Sequence, residues 1–185
     1  MVTLCSLWLP ILISAAVVFV ASFLAWMVLP HHKSEWAKLS DEQGFLDALR
    51  GLKVGPGQYI FPCCARKDLE DPEAARRYEQ GPHGVLLLRD AKPNFGRNLA
   101  LVFLFYVVVG VFVAYLATIL LPKGSDYLKV FQVTGTAAIM AYVFGSIPND
   151  IFFGRSLRSV INHTIDGIVY GLLTAGVFGS MWPAA

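Results

Sequence analysis

Four long apolar segments alternate with polar connections along the 185-residue chain. The first two, residues 7–29 and 99–121, contain no charged residue. The third, about 130–147, is interrupted by polar residues, and the fourth, about 161–182, has a polar beginning and an uncharged body. A helix needs about 20 mainly apolar residues to cross a bilayer core. The pattern therefore predicts four transmembrane helices.

A polar insert, residues 30–98, separates the first two segments and carries its own structural signals. Ser40 and Gln43 form a capping-box pattern before a predicted helix over 41–50. A second helix is predicted to start at Asp71-Pro72-Glu73 and to end at Gly81, because proline favours the first helical position. Short strands are predicted at 58–61 and 84–89. The fold class is an all-α membrane protein, a four-transmembrane-helix bundle with a small α/β insert between helices 1 and 2.

Composition supports this class and excludes others. Hydrophobic residues make up 56% of the chain and charged residues only 15%, whereas soluble domains have about 25% charged residues. The net charge of +2 provides no basic surface for nucleic acid, and three cysteines are too few for a disulfide scaffold. Membrane lipid is the expected partner, and residues 1–185 are expected to form a single membrane domain.

The placement of lysine and arginine predicts the orientation. The connections 30–98 and 148–160 carry seven basic residues close to the predicted spans, against two in the connection 122–129 and none in either tail. Basic residues accumulate on the cytoplasmic side. Both termini are therefore predicted outside, and residues 30–98 in the cytoplasm.

Small residues recur every four positions in three of the predicted helices, and such stripes let membrane helices approach closely. The stripes are Gly110, Ala114 and Thr118; Ala137, Ala141 and Gly145; and Gly167, Gly171, Ala175 and Gly179. Helix packing is the favoured interpretation, and an open substrate path is the alternative. The four tryptophans, Trp26 among them, are interpreted as anchors at the membrane interface.

Topology brings polar residues together at the cytoplasmic boundary. His31 and His32 follow the first span, and His163 and Asp166 lie three residues apart near the start of the fourth. Three imidazoles and a carboxylate suit a divalent metal such as zinc.

Two alternatives to a metal remain open for these residues. One is a structural role, with the histidines in the headgroup zone and Asp166 in the first helical turn, where the helix dipole stabilises it. The other is a proton or ion relay. If Asp166 lies below the headgroups, Arg155, Arg158 or His163 is its expected partner.

Cys63 and Cys64 are adjacent, so they are too strained for a routine disulfide. Buried small side chains are the favoured interpretation; metal thiolates with His83 and lipidation are the alternatives. The chain contains no nucleophile elbow, phosphate loop, zincin helix or dinucleotide fingerprint. A non-enzymatic function is therefore favoured.

Several motifs together resemble a family of bacterial four-helix inner-membrane proteins that has no assigned activity. These motifs are LPHHKSEW at 29–36, GQYIFPCC at 57–64, FGRNLAL at 95–101, VTGTAA at 133–138, FGSIPN at 144–149 and DGIVYGLLTAGVFG at 166–179. The resemblance covers nearly the whole chain. It implies a bacterial origin and this topology, and it implies no catalytic residue.

The favoured function is a structural, assembly or accessory component of the bacterial inner membrane, with a membrane-protein partner or further copies of the chain. The alternative is a metal-binding or ion-handling protein that uses His31, His32, His163 and Asp166. A membrane enzyme acting on lipid or quinone is a third class.

Overall fold

The computed structural model describes residues 2–185, apart from the side chains of Arg66 and Leu69. The chain divides into two compact units. We call residues 2–36 and 94–185 the helical unit, and Ala37–Pro93 the insert unit.

The described residues are mostly helical, with one small sheet, as the sequence predicts. The α-helices and strands, in chain order, are α1 (Trp8–Phe23), α2 (Glu42–Gly51), β1 (Gly57–Phe61), α3 (Pro72–Gln80), β2 (Gly84–Leu88), α4 (Phe95–Leu120), α5 (Tyr127–Ile139), α6 (Ile147–Phe152) and α7 (Leu157–Ser180). Short 3₁₀ helices cover Leu4–Leu7, Lys33–Glu35 and Arg66–Glu70. Two π-helical turns, Leu24–Val28 and Met140–Phe144, continue α1 and α5.

Three continuous helical stretches are long and apolar enough to cross a membrane: Leu4–Val28, Phe95–Leu120 and Tyr127–Phe152. They correspond to the first three predicted spans and suggest a multi-pass membrane protein. Helix α7 has 24 residues but is not among these three stretches, because polar residues occupy its first half. The fourth transmembrane helix stays a prediction.

The long helices of the helical unit pack side by side. Helix α1 contacts α4 and α7, and α5 contacts both α7 and α4. Their shared core contains the fully buried Leu7, Val113, Val130 and Phe178. The outer surface of these helices keeps many exposed apolar side chains, such as Phe112 on α4. Apolar residues on the outside as well as the inside are expected of helices surrounded by lipid.

Helices α5 and α7 approach closely through the predicted glycine stripe of α7. A Cβ built on Gly167 would lie 2.7 Å from Val143 Cγ2, and one on Gly171 would lie 3.0 Å from the backbone nitrogen of Ile139. The predicted stripe on α5 and its π-helical continuation holds only in part: Ala137 packs against the core, but Ala141 and Gly145 are exposed. The face that α5 turns to the core instead carries the fully buried Thr134 and Ala138 and the buried Gly135.

The insert unit contains the predicted elements almost residue for residue. Strands β1 and β2 form an antiparallel pair in which Gly57 faces Leu88 and Phe61 faces Gly84. Helix α3 starts with Pro72 at its first position, as predicted. The cap of α2 is one residue later than predicted: Asp41 Oδ1 accepts a hydrogen bond from the Gly44 nitrogen (2.8 Å), while the Gln43 side chain binds Asp47.

Replacing Gly171 with alanine should destabilise the helical unit. The added Cβ would meet both the Ile139 side chain and its backbone nitrogen, so the two helices must separate. Overpacking of this kind costs about 1–3 kcal/mol. Unfolding of the Gly171→Ala variant in detergent, followed by circular dichroism, measures the effect.

Gly176→Ala is the matched control, because it makes the same change on the same helix. The nearest atom to its added Cβ is the Tyr127 hydroxyl oxygen, at 3.9 Å. Its stability should stay within about 0.5 kcal/mol of the wild type. Equal destabilisation of the two variants would contradict the close contact at Gly171.

Candidate metal centre

Two segments of the helical unit build a polar cluster beside the end of α1. The first is the turn that follows the π-helical segment Leu24–Val28. In this turn the backbone N–H of Lys33 donates a hydrogen bond to the Pro30 carbonyl (3.0 Å), and that of Glu35 donates one to the His32 carbonyl (3.1 Å). The second is the N-terminal half of α7, whose first turn is capped by Ser156. We call the following residues the His/carboxylate cluster: His31, His32, Glu35, Ser159, Asn162, His163 and Asp166.

Helix α7 supplies four of these residues on one face. The last three follow Ser159 by three, four and seven positions, the spacing of neighbours on a helix surface: Asn162, His163 and Asp166. The turn at 31–35 packs against this face. The polar stripe of α7 is therefore covered by protein.

The Asp166 carboxylate lies within hydrogen-bonding distance of two adjacent histidines, His31 and His32. Its Oδ1 lies 3.2 Å from His31 Nε2, and its Oδ2 lies 2.8 Å from His32 Nε2. Asp166 is buried, and His32 is only 3% exposed. A buried carboxylate needs hydrogen-bonding or cationic partners, since water no longer solvates it. The two imidazoles provide those partners.

Glu35 forms the second anionic group of the cluster, and its side chain is only 2% exposed. Its Oε1 lies 2.6 Å from His32 Nδ1 and accepts a hydrogen bond from Asn162 Nδ2 (2.8 Å); its Oε2 accepts one from Ser159 Oγ (2.7 Å). Burial alone would raise the pKa of Glu35. The hydrogen bonds from Asn162, Ser159 and His32 outweigh that effect and lower the pKa of Glu35 to about 2. Glu35 is therefore ionised at neutral pH.

His32 lies at the centre of the cluster, because its two ring nitrogens face different carboxylates. Its ring also stacks on Trp26, with the centroids 4.0 Å apart and the planes 6° apart. A histidine can donate from both nitrogens only when it is protonated. Each of the two carboxylates therefore faces its own ring nitrogen of His32.

The nitrogens and oxygens of the cluster form two sets with the donor types of a metal site. One set is His31, His32 and Asp166, and the other is His32, Glu35 and His163. Within each set the ligand atoms lie within 4.8 Å of one another. Imidazole nitrogens and carboxylate oxygens are common ligands of zinc and other divalent transition metals.

Two cavities border the Asp166 carboxylate. One of about 490 Å³ also touches His31 and Asn162 and is otherwise mainly apolar. The other, of about 160 Å³, also touches His163. The buried cluster thus has space next to it on two sides.

Three of the four sequence-predicted residues, His31, His32 and Asp166, meet as expected. His163 differs: it lies three residues before Asp166, but its Nε2 is 3.6 Å from Glu35 Oε2. The predicted partners of Asp166 are also corrected. Arg155 pairs with Asp150 (3.3 Å), and the partners of Asp166 are His31 and His32. Helix α7 starts at Leu157, so Asp166 is in its third turn and the helix dipole does not account for it.

Sequence reasoning missed Glu35, Ser159 and Trp26 as members of this centre. Glu35 had a usable signal, because it lies three residues after His32, the spacing that a single 3₁₀ turn brings together. Trp26 stacks on the His32 imidazole, and its interpretation as a membrane anchor stays a prediction.

The cysteine predictions fall outside this centre. Cys63 is exposed and Cys64 half-buried, and both are free thiols, so burial is wrong for Cys63. Within the described residues, neither belongs to a group of potential metal ligands, with His83 or otherwise.

The chain matches no protein-family model, no curated protein and no solved structure. The resemblance to bacterial four-helix inner-membrane proteins therefore stays a prediction.

Proposed function

We propose that the protein is a multi-pass membrane protein that binds a divalent transition-metal cation, such as zinc, through His31, His32 and Asp166. The observation that carries this proposal is the convergence of two imidazole nitrogens on opposite oxygens of one buried carboxylate. Glu35 and His163 adjoin the site from the other side of His32.

The charge of the cluster favours a divalent cation. Two ionised carboxylates and three neutral imidazoles have a formal charge of −2 in a buried place. A divalent ion neutralises all of that charge. Uncompensated buried charge is costly, so the charge of the cluster supports a divalent cation.

The number of ligands indicates a site that can exchange its contents. Three protein ligands leave at least one position of a four-coordinate ion open, whereas structural zinc sites use four protein ligands. The cavities beside Asp166 provide room at such an open position.

Glu35 supports the proposed site by orienting one of its ligands. It faces His32 Nδ1 at 2.6 Å, which leaves Nε2 directed at Asp166. Hydrogen bonds between a carboxylate and the non-ligating nitrogen of a metal-bound histidine fix the ring and its tautomer. Ser159 and Asn162 in turn hold Glu35 in place.

We place the protein in a bacterial inner membrane, with both termini outside and residues 30–98 in the cytoplasm. The support is the concentration of basic residues in the insert and in the connection before α7. This orientation puts the His/carboxylate cluster at the cytoplasmic boundary.

A second candidate function is a structural, assembly or accessory role that depends on the insert unit. Among its described side chains, only Ala74 is buried. The two-stranded sheet of β1 and β2 exposes Ile60, Val85 and Leu87 to at least half of their full area. Exposed apolar groups in a small unit fit contact with lipid or with a membrane-protein partner.

Metal analysis of the purified full-length protein tests the first proposal. We expect about one divalent cation per chain in the wild type and almost none in His32→Ala, because that change removes a shared ligand of both sets. Glu35→Gln keeps the shape of the side chain and should weaken metal affinity about 10- to 100-fold, since it only orients His32.

His83→Ala is the matched control, because His83 lies in the insert unit, outside the His/carboxylate cluster. It should keep the metal content of the wild type. Circular dichroism checks that each variant is folded. Wild-type protein with no more metal than His32→Ala would contradict the proposal.

Cysteine labelling tests the orientation. In spheroplasts, an impermeant maleimide should leave the exposed native Cys63 unlabelled until the membrane is lysed. In a chain with all three cysteines replaced by serine, Ala185→Cys should react without lysis. Reaction of Cys63 in intact spheroplasts would place the insert outside.

Gentle purification tests the accessory role. A partner bound through the two-stranded sheet should co-purify with the wild type and be lost from an Ile60→Ser/Leu87→Ser variant. The same changes should leave the metal content unaltered. Retention of the partner by this variant would rule out the sheet as its contact.

A further inference from the structure

The smaller cavity beside Asp166 has a lining that the proposed metal site does not explain. Its volume is about 160 Å³, room for roughly five water-sized groups at about 30 Å³ each. Five aromatic rings and one carboxylate border it: Trp26, Phe105, Tyr106, Tyr142, Tyr170 and Asp166.

Three tyrosine rings form the densest part of this lining. The centroids of Tyr106, Tyr142 and Tyr170 make a triangle with sides of 5.9, 6.1 and 6.2 Å. Their planes meet at 65° to 89°. Such edge-to-face contacts fix each ring through its neighbours. The lining is therefore preformed.

Both π-helical turns of the helical unit contribute to the cavity. Trp26 lies in the turn Leu24–Val28, and Tyr142 lies in Met140–Phe144. Single π-helical turns within α-helices are uncommon and occur frequently at functional sites. Here each turn supplies one aromatic residue to the lining of the cavity that also contains Asp166.

Two buried polar atoms at the cavity form no hydrogen bond within residues 2–185: the hydroxyl oxygen of Tyr170, a residue only 8% exposed, and His163 Nε2. Each has a carboxylate near it, since the Tyr170 hydroxyl neighbours Asp166 and His163 Nε2 lies 3.6 Å from Glu35 Oε2. A donor placed between each atom and its carboxylate would complete the hydrogen bonding that buried polar atoms almost always have.

The cavity lining carries one carboxylate, that of Asp166. Among the described residues, no lysine or arginine lies in this lining. Aromatic faces also attract cations, through the negative charge above each ring. The Asp166 carboxylate and the aromatic rings therefore favour the same kind of guest, a small monovalent cation.

We propose that this cavity binds the primary ammonium group of a small organic amine. The ammonium donates hydrogen bonds to the Asp166 carboxylate, the Tyr170 hydroxyl and His163 Nε2, and its short alkyl chain lies against the aromatic rings. A quaternary ammonium would leave the Tyr170 hydroxyl and His163 Nε2 without a donor. The ammonium and the proposed metal both neutralise Asp166, so each should exclude the other.

Binding of n-propylammonium to the full-length protein tests this inference. The protein is placed in phosphatidylglycerol nanodiscs and treated with EDTA, so that no divalent cation competes for Asp166. Ligand-observed NMR should give a dissociation constant of about 1 mM, a reasonable affinity for four non-hydrogen atoms. The neutral 1-propanol has the same number of non-hydrogen atoms and should bind at least about tenfold more weakly.

Two variants and one control locate the binding. Tyr170→Phe keeps the ring and removes the hydroxyl, and Asp166→Asn removes the charge; each should weaken n-propylammonium binding about tenfold. Tyr115→Phe removes a hydroxyl from an exposed position on α4 and should change nothing. Equal binding of the amine and the alcohol, or unchanged binding in Tyr170→Phe, would overturn the proposal.

A further arm distinguishes a free amine from a lipid headgroup. If the ethanolamine headgroup of a lipid supplies the ammonium, phosphatidylethanolamine in the nanodiscs should compete with n-propylammonium. If the natural guest is a free amine, the lipid should have no effect. Because all arms use metal-free protein, their outcome is independent of the metal-binding test.

Discussion

The burial of the Asp166 carboxylate is the constraint on which the helical unit depends. A charge taken out of water needs partners, and its partners here are two histidines more than 130 residues earlier in the chain. The turn after α1 must therefore dock on α7 in one register. Glu35 fixes the same register from the other side of His32, through Ser159 and Asn162.

Helix packing and the polar cluster are linked through neighbouring residues of α7. Gly167 follows Asp166 and lies against Val143 and the Tyr142 carbonyl, so α7 approaches the end of α5 closely where the carboxylate is buried. That approach also brings Tyr142 to the cavity beside Asp166. Small residues thus act here in two ways: they let the helices pack, and they set the distance between the carboxylate and its aromatic neighbours.

The sequence predicted elements well and contacts less well, for a physical reason. Apolar length and turn residues are local signals, so three spans and every insert element agree with the structure to within a few residues. The buried face of α5 was predicted only in part, because small residues occur on more than one side of it and only its neighbour decides which side packs. His31, His32 and Asp166 could be grouped because they flank predicted spans. The spacing of Glu35 from His32 was a usable signal, but its contacts with Ser159 and Asn162 depend on how one short turn docks.

The use of imidazoles in place of permanent cations fits the proposed binding of exchangeable cations by the cluster. Arg155 is close in sequence to α7, yet it pairs with Asp150 and leaves Asp166 to histidines. An arginine at Asp166 would neutralise the carboxylate permanently, because its guanidinium does not lose its proton in proteins. A histidine can release its proton when another cation arrives. Because imidazoles are the main partners of the two carboxylates, no permanent positive charge balances them. The proposed metal ion or ammonium group would supply that positive charge.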